Sequence, residues 1–323
     1  MKKLTKRVLS VFLALAMIVT ILPPMTAQAA TIPKKLTLYV GESCDLWISC
    51  ESLKGVASTN KAVVVAKAKK ADKMCTITPK KAGTATVTIK EKGYFSKKVT
   101  ASKIKVTVKK PSFTCKVQPV DGGYVLLSVK NNTKQTFETA LWNYSIKDTT
   151  GEVIKSKTDD NIYKLIAGKT YFEKVYVGEN YDVDYENSTV KVTKLGRYDV
   201  TNTYKALPQG AVEYTELNTE QTDSQINFDL KLKNTLNKEV EVRYYVIAYD
   251  ANNNIIDVPC SGTRTLGKKE VKTANSNFVS ISSYSHPNYD HYKIVLQGYY
   301  IVKQVKHMAS RVTNEVHAAF LNF

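Results

Sequence analysis

From residue 35 the chain alternates: Leu36, Leu38 and Val40 are separated by Lys35, Thr37 and Tyr39, and Gly41-Glu42 follows as a turn. Cys44, Leu46, Ile48 and Cys50 then fall on one face. Further along, Ala85, Val87 and Ile89 alternate with Thr84, Thr86 and Thr88, and Ile104, Val106 and Val108 alternate with Lys103, Lys105 and Thr107. Successive side chains of a strand point to opposite faces, so a period of two predicts short antiparallel strands with one wet face on each sheet.

The pattern resumes beyond Lys109-Lys110-Pro111. Val125, Leu127 and Val129 lead to Asn131-Asn132-Thr133, and Trp142, Tyr144 and Ile146 share a face that ends at Asp148-Thr149-Thr150-Gly151. Phe228, Leu230 and Leu232 then lead to Asn234-Thr235-Leu236-Asn237, and Val240, Val242, Tyr244, Val246 and Ala248 run into a turn at Asp250 to Asn254. Lys130-Asn131 aligns with Lys233-Asn234 and Asp148 with Asp250, at offsets of 103 and 102. Two such landmarks at one spacing read as a duplicated domain. From Lys303 the period lengthens: Val305, Met308, Val312, Val316, Ala319 and Phe320 recur every three or four residues, which predicts a short amphipathic helix. Docking on its own domain is the expectation for that helix, and Lys303, Lys306 and Arg311 leave a membrane surface open to it.

The start of the chain has another character. Lys2, Lys3, Lys6 and Arg7 precede an apolar run from Val8 to Leu22, then Pro23-Pro24 and Ala27-Gln28-Ala29. A charged start, an apolar middle and small residues around a cleavage point define a secretory leader, so cleavage is expected after Ala29. The apolar run falls short of the roughly 20 residues that a spanning helix needs. No later segment reads as a transmembrane anchor, and no Cys directly follows the leader to accept a lipid. The expectation is an all-β chain of three tandem Ig-like sandwiches, 30–110, 111–200 and 201–302, between a leader at 1–29 and a helical tail at 303–323.

Charge divides the chain unevenly. Residues 30–110 hold 18 Lys, no Arg and 5 acidic residues, a net of +13, against 25 basic and 24 acidic residues in 111–323. Lys67, Lys69, Lys70 and Lys73, the Lys80-Lys81 pair and the Lys97-Lys98 pair form the densest clusters. Lysine is a hydrated point charge suited to diffuse attraction, whereas bidentate recognition of phosphate or carboxylate favours arginine. For an exported chain this points to anionic cell-wall polymer or polysaccharide, and no nucleic-acid motif accompanies the charge. The competing reading is a solvated face.

The residues LTLYVGES, STNKAVVVAKAKK and TPKKAGTATVTIK resemble the bacterial Ig-like domain, group 2, over about 33–110. The run Lys81-Ala82-Gly83-Thr84-Ala85-Thr86-Val87-Thr88 carries most of that likeness. The resemblance implies an immunoglobulin-type sandwich on an exported or surface protein of a bacterium, used as a stalk or adhesive module. The chain departs from the family in its three Cys and in having Ala57-Ser58-Thr59 where a tryptophan-serine-serine stretch is usual. The string YYVIAYDANNNII resembles the FxLYD-type sandwich of exported bacterial proteins, which brings no site residues with it.

Residues suited to chemistry are sparse. The four His all lie beyond residue 285, far in sequence from Cys44, Cys50 and Cys75. A Cys nucleophile needs a nearby base, and a zinc site needs converging ligand pairs that these spacings do not offer. Cys44, Cys50 and Cys75 point inward together, so one pair among them could bridge, or all could be buried thiols. Asp182, Asp184 and Glu186 lack the glycine and the distal glutamate of a calcium loop. His286, Asp290 and His291 occur without a serine elbow or a metal-binding helix motif, and read as a polar loop. No catalytic residue, cofactor or metal is therefore assigned. Alternation puts Tyr244 inside and Tyr245 and Tyr249 outside, which makes Tyr245 and Tyr249 candidates for aromatic contact with a ligand or another surface protein.

The function expected is that of an exported, non-enzymatic binding or adhesion protein, held without a covalent anchor at a Gram-positive cell surface. Its alternatives are a neutral carbohydrate-binding protein acting through exposed Tyr, a structural spacer without a ligand, and a polysaccharide hydrolase with an unfamiliar site.

Overall fold

The computed structural model describes residues 32–94, 97–120, 122–197, 203–221, 225–273, 279–282 and 290–302. The expected leader and C-terminal helix lie outside these residues. Among the described residues every regular element is a strand, and the sheets pack as β-sandwiches around three hydrophobic cores.

The first core is enclosed by β1 (Lys35–Tyr39), β2 (Glu42–Trp47), β3 (Ser52–Ser58), β4 (Val64–Lys69), β5 (Met74–Pro79), β6 (Gly83–Lys92) and β7 (Val99–Lys109). One sheet has the order β1-β7-β6-β3, with β1 parallel to β7 and Lys35 opposite Lys105. The facing sheet contains β2-β5-β4. The alternating apolar residues meet between them: Leu38, Cys44, Ile77, Val87, Ile104 and Val106 are fully buried. Full burial of one aliphatic side chain contributes about 1.5–3 kcal/mol, which is why the alternation dictates the sheet faces.

The second core is enclosed by β8 (Phe113–Val120), β9 (Tyr124–Asn131), β10 (Phe137–Asp148), β11 (Val153–Leu165), β12 (Thr170–Tyr176) and β13 (Val183–Arg197). Sheet β12-β9-β8 faces strands β11-β10-β13 across Leu127, Phe137, Trp142 and Ile146. The end of β13 also pairs in parallel with β2, Leu195 opposite Glu42 and Arg197 opposite Cys44. A single six-stranded sheet, β11-β10-β13-β2-β5-β4, therefore spans the first two cores. Tyr39 leaves the first core and meets Phe137 edge-on in the second, with ring centres 5.4 Å apart. Buried Glu42 holds this junction by accepting from the Tyr39 N–H (2.8 Å) and from Gln135 Nε2 (3.0 Å).

The third core lies among β14 (Tyr204–Ala206), β15 (Val212–Gln221), β16 (Gln225–Asn234), β17 (Val240–Tyr249), β18 (Ile255–Leu266), β19 (Val271–Thr273), β20 (Val279–Ser282) and β21 (His291–Ile301). One sheet is β14-β21-β17-β18; the other is β15-β16-β19, with β20 also on β16. The order β18-β17-β21 matches β11-β10-β13, and β19-β16-β15 matches β12-β9-β8.

The turns match as well. Buried Asn131 donates from Nδ2 to the carbonyls of Gln135 (2.8 Å) and Leu165 (3.0 Å), and its Oδ1 accepts from the Thr133 N–H. Buried Asn234 donates to the carbonyls of Lys238 (2.7 Å) and Gly267 (2.7 Å), and its Oδ1 accepts from the Leu236 N–H. Asp148 Oδ1 accepts from the N–H groups of Thr150 and Glu152, just as Asp250 Oδ1 accepts from those of Asn252 and Asn254. The Thr150 hydroxyl and the Asn254 side-chain amide also donate to these carboxylates, and they, followed by the backbone N–H groups, hold both carboxyls below their ordinary range.

The second and third cores are stacked. The outer face of β12-β9-β8 meets the outer face of β17, β18 and β21, and Leu126, Val120, Tyr245, Ile247 and Val258 form a fourth apolar cluster between them. As a result β17 is buried on both sides from Tyr244 to Ala248.

Candidate functional site

The eight lysines singled out from sequence do not form one patch. Lys70, Lys73, Lys97 and Lys98 gather at the end of the first sandwich remote from Tyr39 and Glu42, where the Ile48 N–H bonds the Lys73 carbonyl and the Glu51 N–H bonds that of Lys92. Lys80 and Lys81 sit at the opposite end, beside Val63. Lys67 and Lys69 lie on β4, opposite Thr76 and Met74. All are exposed except Lys73, whose Nζ donates to the Tyr94 hydroxyl (3.2 Å) and lies 5.1 Å from its ring centre. None of Lys67, Lys69, Lys70, Lys80 and Lys81 pairs with a carboxylate among the described residues. Because β4 is an edge strand, Lys67 and Lys69 also have a structural role, since charge on an edge discourages pairing with another chain.

Two aromatic residues missed by the sequence reading join this surface. Trp47 is 45 % exposed on the wet face of β2, in a cross-strand row with Met74 and Lys69, and Tyr94 is 56 % exposed. The signal for Trp47 was present, because alternation with inward Leu46 and Ile48 already turns it outward.

Tyr245 corrects the sequence reading. Tyr245 does point away from Tyr244, but it is only 1 % exposed. Its ring meets Phe172 edge-on at 5.2 Å, and its hydroxyl faces the Phe172 N–H at 3.4 Å. Burial pushes its hydroxyl pKa up. Tyr249 is half-buried, with its ring stacked 5.1 Å from that of His291. The expected wet face is occupied by the neighbouring sandwich. The unbroken run Tyr244-Tyr245-Val246-Ile247-Ala248 was the available signal, since a strand buried on both sides loses its alternation.

The same interface takes up charge. Lys174 Nζ bonds both oxygens of buried Asp257, at 2.9 and 3.0 Å, and lies 4.7 Å from the Tyr124 ring centre. Arg243 donates to the Tyr163 carbonyl (2.7 Å), and Gln297 to that of Thr170 (2.9 Å). Lys164 and Glu138 are both buried, with Lys164 Nζ 3.6 Å from Glu138 Oε1 and 3.8 Å from the Tyr204 ring centre. The Tyr204 hydroxyl donates to the same carboxylate. Burial lowers the Lys164 pKa, and the carboxylates of Glu138 and Glu241 act against that shift.

The residues weighed for chemistry have other uses. Cys44, Cys50 and Cys75 are free thiols buried in the first core, and burial pushes the Cys75 thiol up to about 12, which opposes formation of the reactive thiolate. Asp184 accepts from the N–H groups of Glu186 and Asn187, so its carboxylate closes a turn. His291 Nδ1 lies 2.8 Å from Asp290 Oδ2 at the surface. His286 lies outside the described residues, and no group of metal-ligating side chains occurs among the described ones.

No family model matches the chain, and no curated protein matches it. Among solved structures the chain is similar to a mutant form of Salmonella alpha-2-macroglobulin, at 10 % identity and a TM-score of 0.16, over 87 % of this chain and 23 % of that one. It is also similar to trypsin-activated alpha-2-macroglobulin from Escherichia coli, at 10 % identity and a TM-score of 0.15, over 79 % of this chain and 23 % of that one. The chain thus spans about a quarter of those proteins. Likeness at this level carries no argument about function.

Proposed function

We propose that this is an exported, non-enzymatic binding protein of a bacterial cell surface, built of a leader and three successive Ig-like sandwiches, the third a duplicate of the second. In this reading the lysine-rich first sandwich associates with anionic cell-envelope polymers, and the stacked second and third form a stiff support. One observation supports it above others. The stacked pair is close to charge balance and sets Lys164, Lys174 and Arg243 against carboxylates and a carbonyl of its own interface, whereas the first sandwich carries a net of +13 and most of its lysines are exposed and lack an acidic partner. Unpaired surface charge acts at a distance and is screened by salt, so the association would be electrostatic capture without bond chemistry. Burial of Tyr245 removes the main support for a neutral carbohydrate site on the third sandwich, while exposed Trp47 favours polymers whose repeat units offer a ring or a polyol face.

The test is sedimentation of the protein with isolated bacterial cell walls across a salt series. The expected result is cosedimentation at low ionic strength and release as salt rises. Binding unaffected by salt would overturn the electrostatic reading, and no binding at any salt would leave the spacer reading standing.

A further inference from the structure

The sheet β1-β7-β6-β3 has an outer face that none of the clusters above includes. Its residues line up in cross-strand rows: Lys35 with Lys105 and Thr86, Thr37 with Thr107 and Thr84, and Lys103 with Thr88. Lys90 extends the same face on β6. The lysines are exposed, the threonines are exposed or half-buried, and no acidic side chain shares these rows.

Three features separate this face from an ordinary wet surface. The first is that β7 and β6 are central strands, so protection of an edge does not account for Lys90, Lys103 and Lys105. The second is that Lys35 and Lys105 are direct neighbours across β1 and β7, and like charges placed opposite each other oppose sheet formation. The third is uniformity of sign, since a surface that serves solubility alone intersperses both charges. A fold that keeps like charges adjacent on a flat, open face gains from them when an anion lies between.

We propose that this threonine–lysine face is a binding site for a linear phosphodiester-linked polymer lying along β7. The spacing is that of an extended ligand: Lys103 and Lys105 stand about 6.8 Å apart along the strand, and Lys35 about 4.8 Å to the side. Ammonium groups and neighbouring hydroxyls can satisfy the tetrahedral oxygens of a phosphodiester from many directions. The first sandwich has no arginine, so no guanidinium fork is offered to a planar carboxylate or for bidentate phosphate contact, and recognition falls to ammonium point charges and hydroxyls. This inference rests on the polyanion reading above and assigns it a surface and a ligand class.

The experiment uses the full protein and poly(glycerol phosphate) as the probe, with polygalacturonate as a carboxylate control at matched charge. Two triple variants are compared, Lys35→Gln/Lys103→Gln/Lys105→Gln on this face and Lys69→Gln/Lys70→Gln/Lys73→Gln at the remote end; both remove the same charge. The face variant is expected to bind the phosphate polymer at least about tenfold more weakly at low salt. Its slope of log affinity against log salt should shrink by about 2, since each neutralised phosphate of a flexible chain contributes about 0.7. The remote-end variant should keep more of both. Equal loss in the two variants would overturn the site assignment and leave the polyanion reading intact. Tighter binding of polygalacturonate would overturn the ligand class, and failure of the unmodified protein to sediment with walls would remove the reading on which both stand. A cooperative melt no lower than that of the unmodified protein, for both variants, is the control for folding.

Discussion

The open face of the first sandwich and the interface of the stacked pair use lysine in opposite ways. At that interface buried Lys164 lies against Glu138 and the Tyr204 ring, and the more exposed Lys174 sets its ammonium on buried Asp257 beside the Tyr124 ring. In the first sandwich Lys35, Lys103 and Lys105 stand in open rows with threonine and no acid. Removing a charge from water is costly unless a partner replaces the solvent, so a buried lysine needs a built environment and an exposed one does not. The difference teaches that excess charge is informative only once the internally paired charges are set aside. It also separates stiffness from binding: the pair is held by its polar and aromatic interface, and the first sandwich is joined to it by β13–β2 pairing and by Tyr39.

Four measurements would break or sharpen this contrast. The largest effect is expected from Tyr245→Ala, which empties a fully buried aromatic site and should cost about 3–5 kcal/mol in urea unfolding. A cost below about 1 kcal/mol would mean that the face is open and that the two sandwiches do not stack in solution. Next, Asn131→Ala and Asn234→Ala each remove a buried side chain that bonds two carbonyls and a turn N–H. Each should cost about 1–3 kcal/mol, because a buried amide that satisfies carbonyls and a turn N–H is removed. Unequal costs would show that the matching turns are not energetically equivalent.

The third effect is the part of the alkaline destabilisation that the first sandwich contributes, beside that of raised groups such as Cys115, Tyr245 and Cys260 in the other two. Cys75 has its thiol raised from 9.0 to about 12 by burial, so the folded chain keeps a proton that the unfolded chain loses. Its contribution to stability is complete below about pH 9 and is lost as pH rises towards 12. A Cys75→Ala variant should show a shallower alkaline decline in melting temperature, and native Cys75 should resist alkylation at pH 8 until the chain is unfolded. Prompt labelling of the native protein would contradict the burial. The smallest effect runs the other way: Lys35→Gln relieves repulsion from Lys105 and should stabilise by about 0.2–1 kcal/mol while weakening polyanion binding. A loss of stability would show that the lysine stem contributes packing that outweighs the repulsion.

Much of the fold was legible in the sequence. Leu36, Leu38, Val87, Ile104 and Val106 alternate with polar residues and line the first core as that alternation requires. The landmarks Asn131 with Asn234 and Asp148 with Asp250 recur as matching turns because these side chains bond backbone a few residues away, a local arrangement to which each Asn adds a bond to a distant carbonyl. The candidate site was less legible. Alternation assigned Tyr245 to the correct face and the wrong environment, because period two states which way a side chain points and says nothing of what covers it. Clusters along the chain, such as Lys67 to Lys73, drew attention away from Lys35 and Lys105, which are 70 residues apart in sequence.

By itself the sequence determined the strands, their inward faces, the turn chemistry and the uneven charge, since each depends on neighbours a few residues away. Only the tertiary structure decided that β13 extends the sheet of β2, that the second and third sandwiches bury an aromatic face between them, and that Lys35 lies beside Lys105. Strand order and sheet stacking depend on contacts between distant segments, and the same alternating pattern is compatible with many such arrangements.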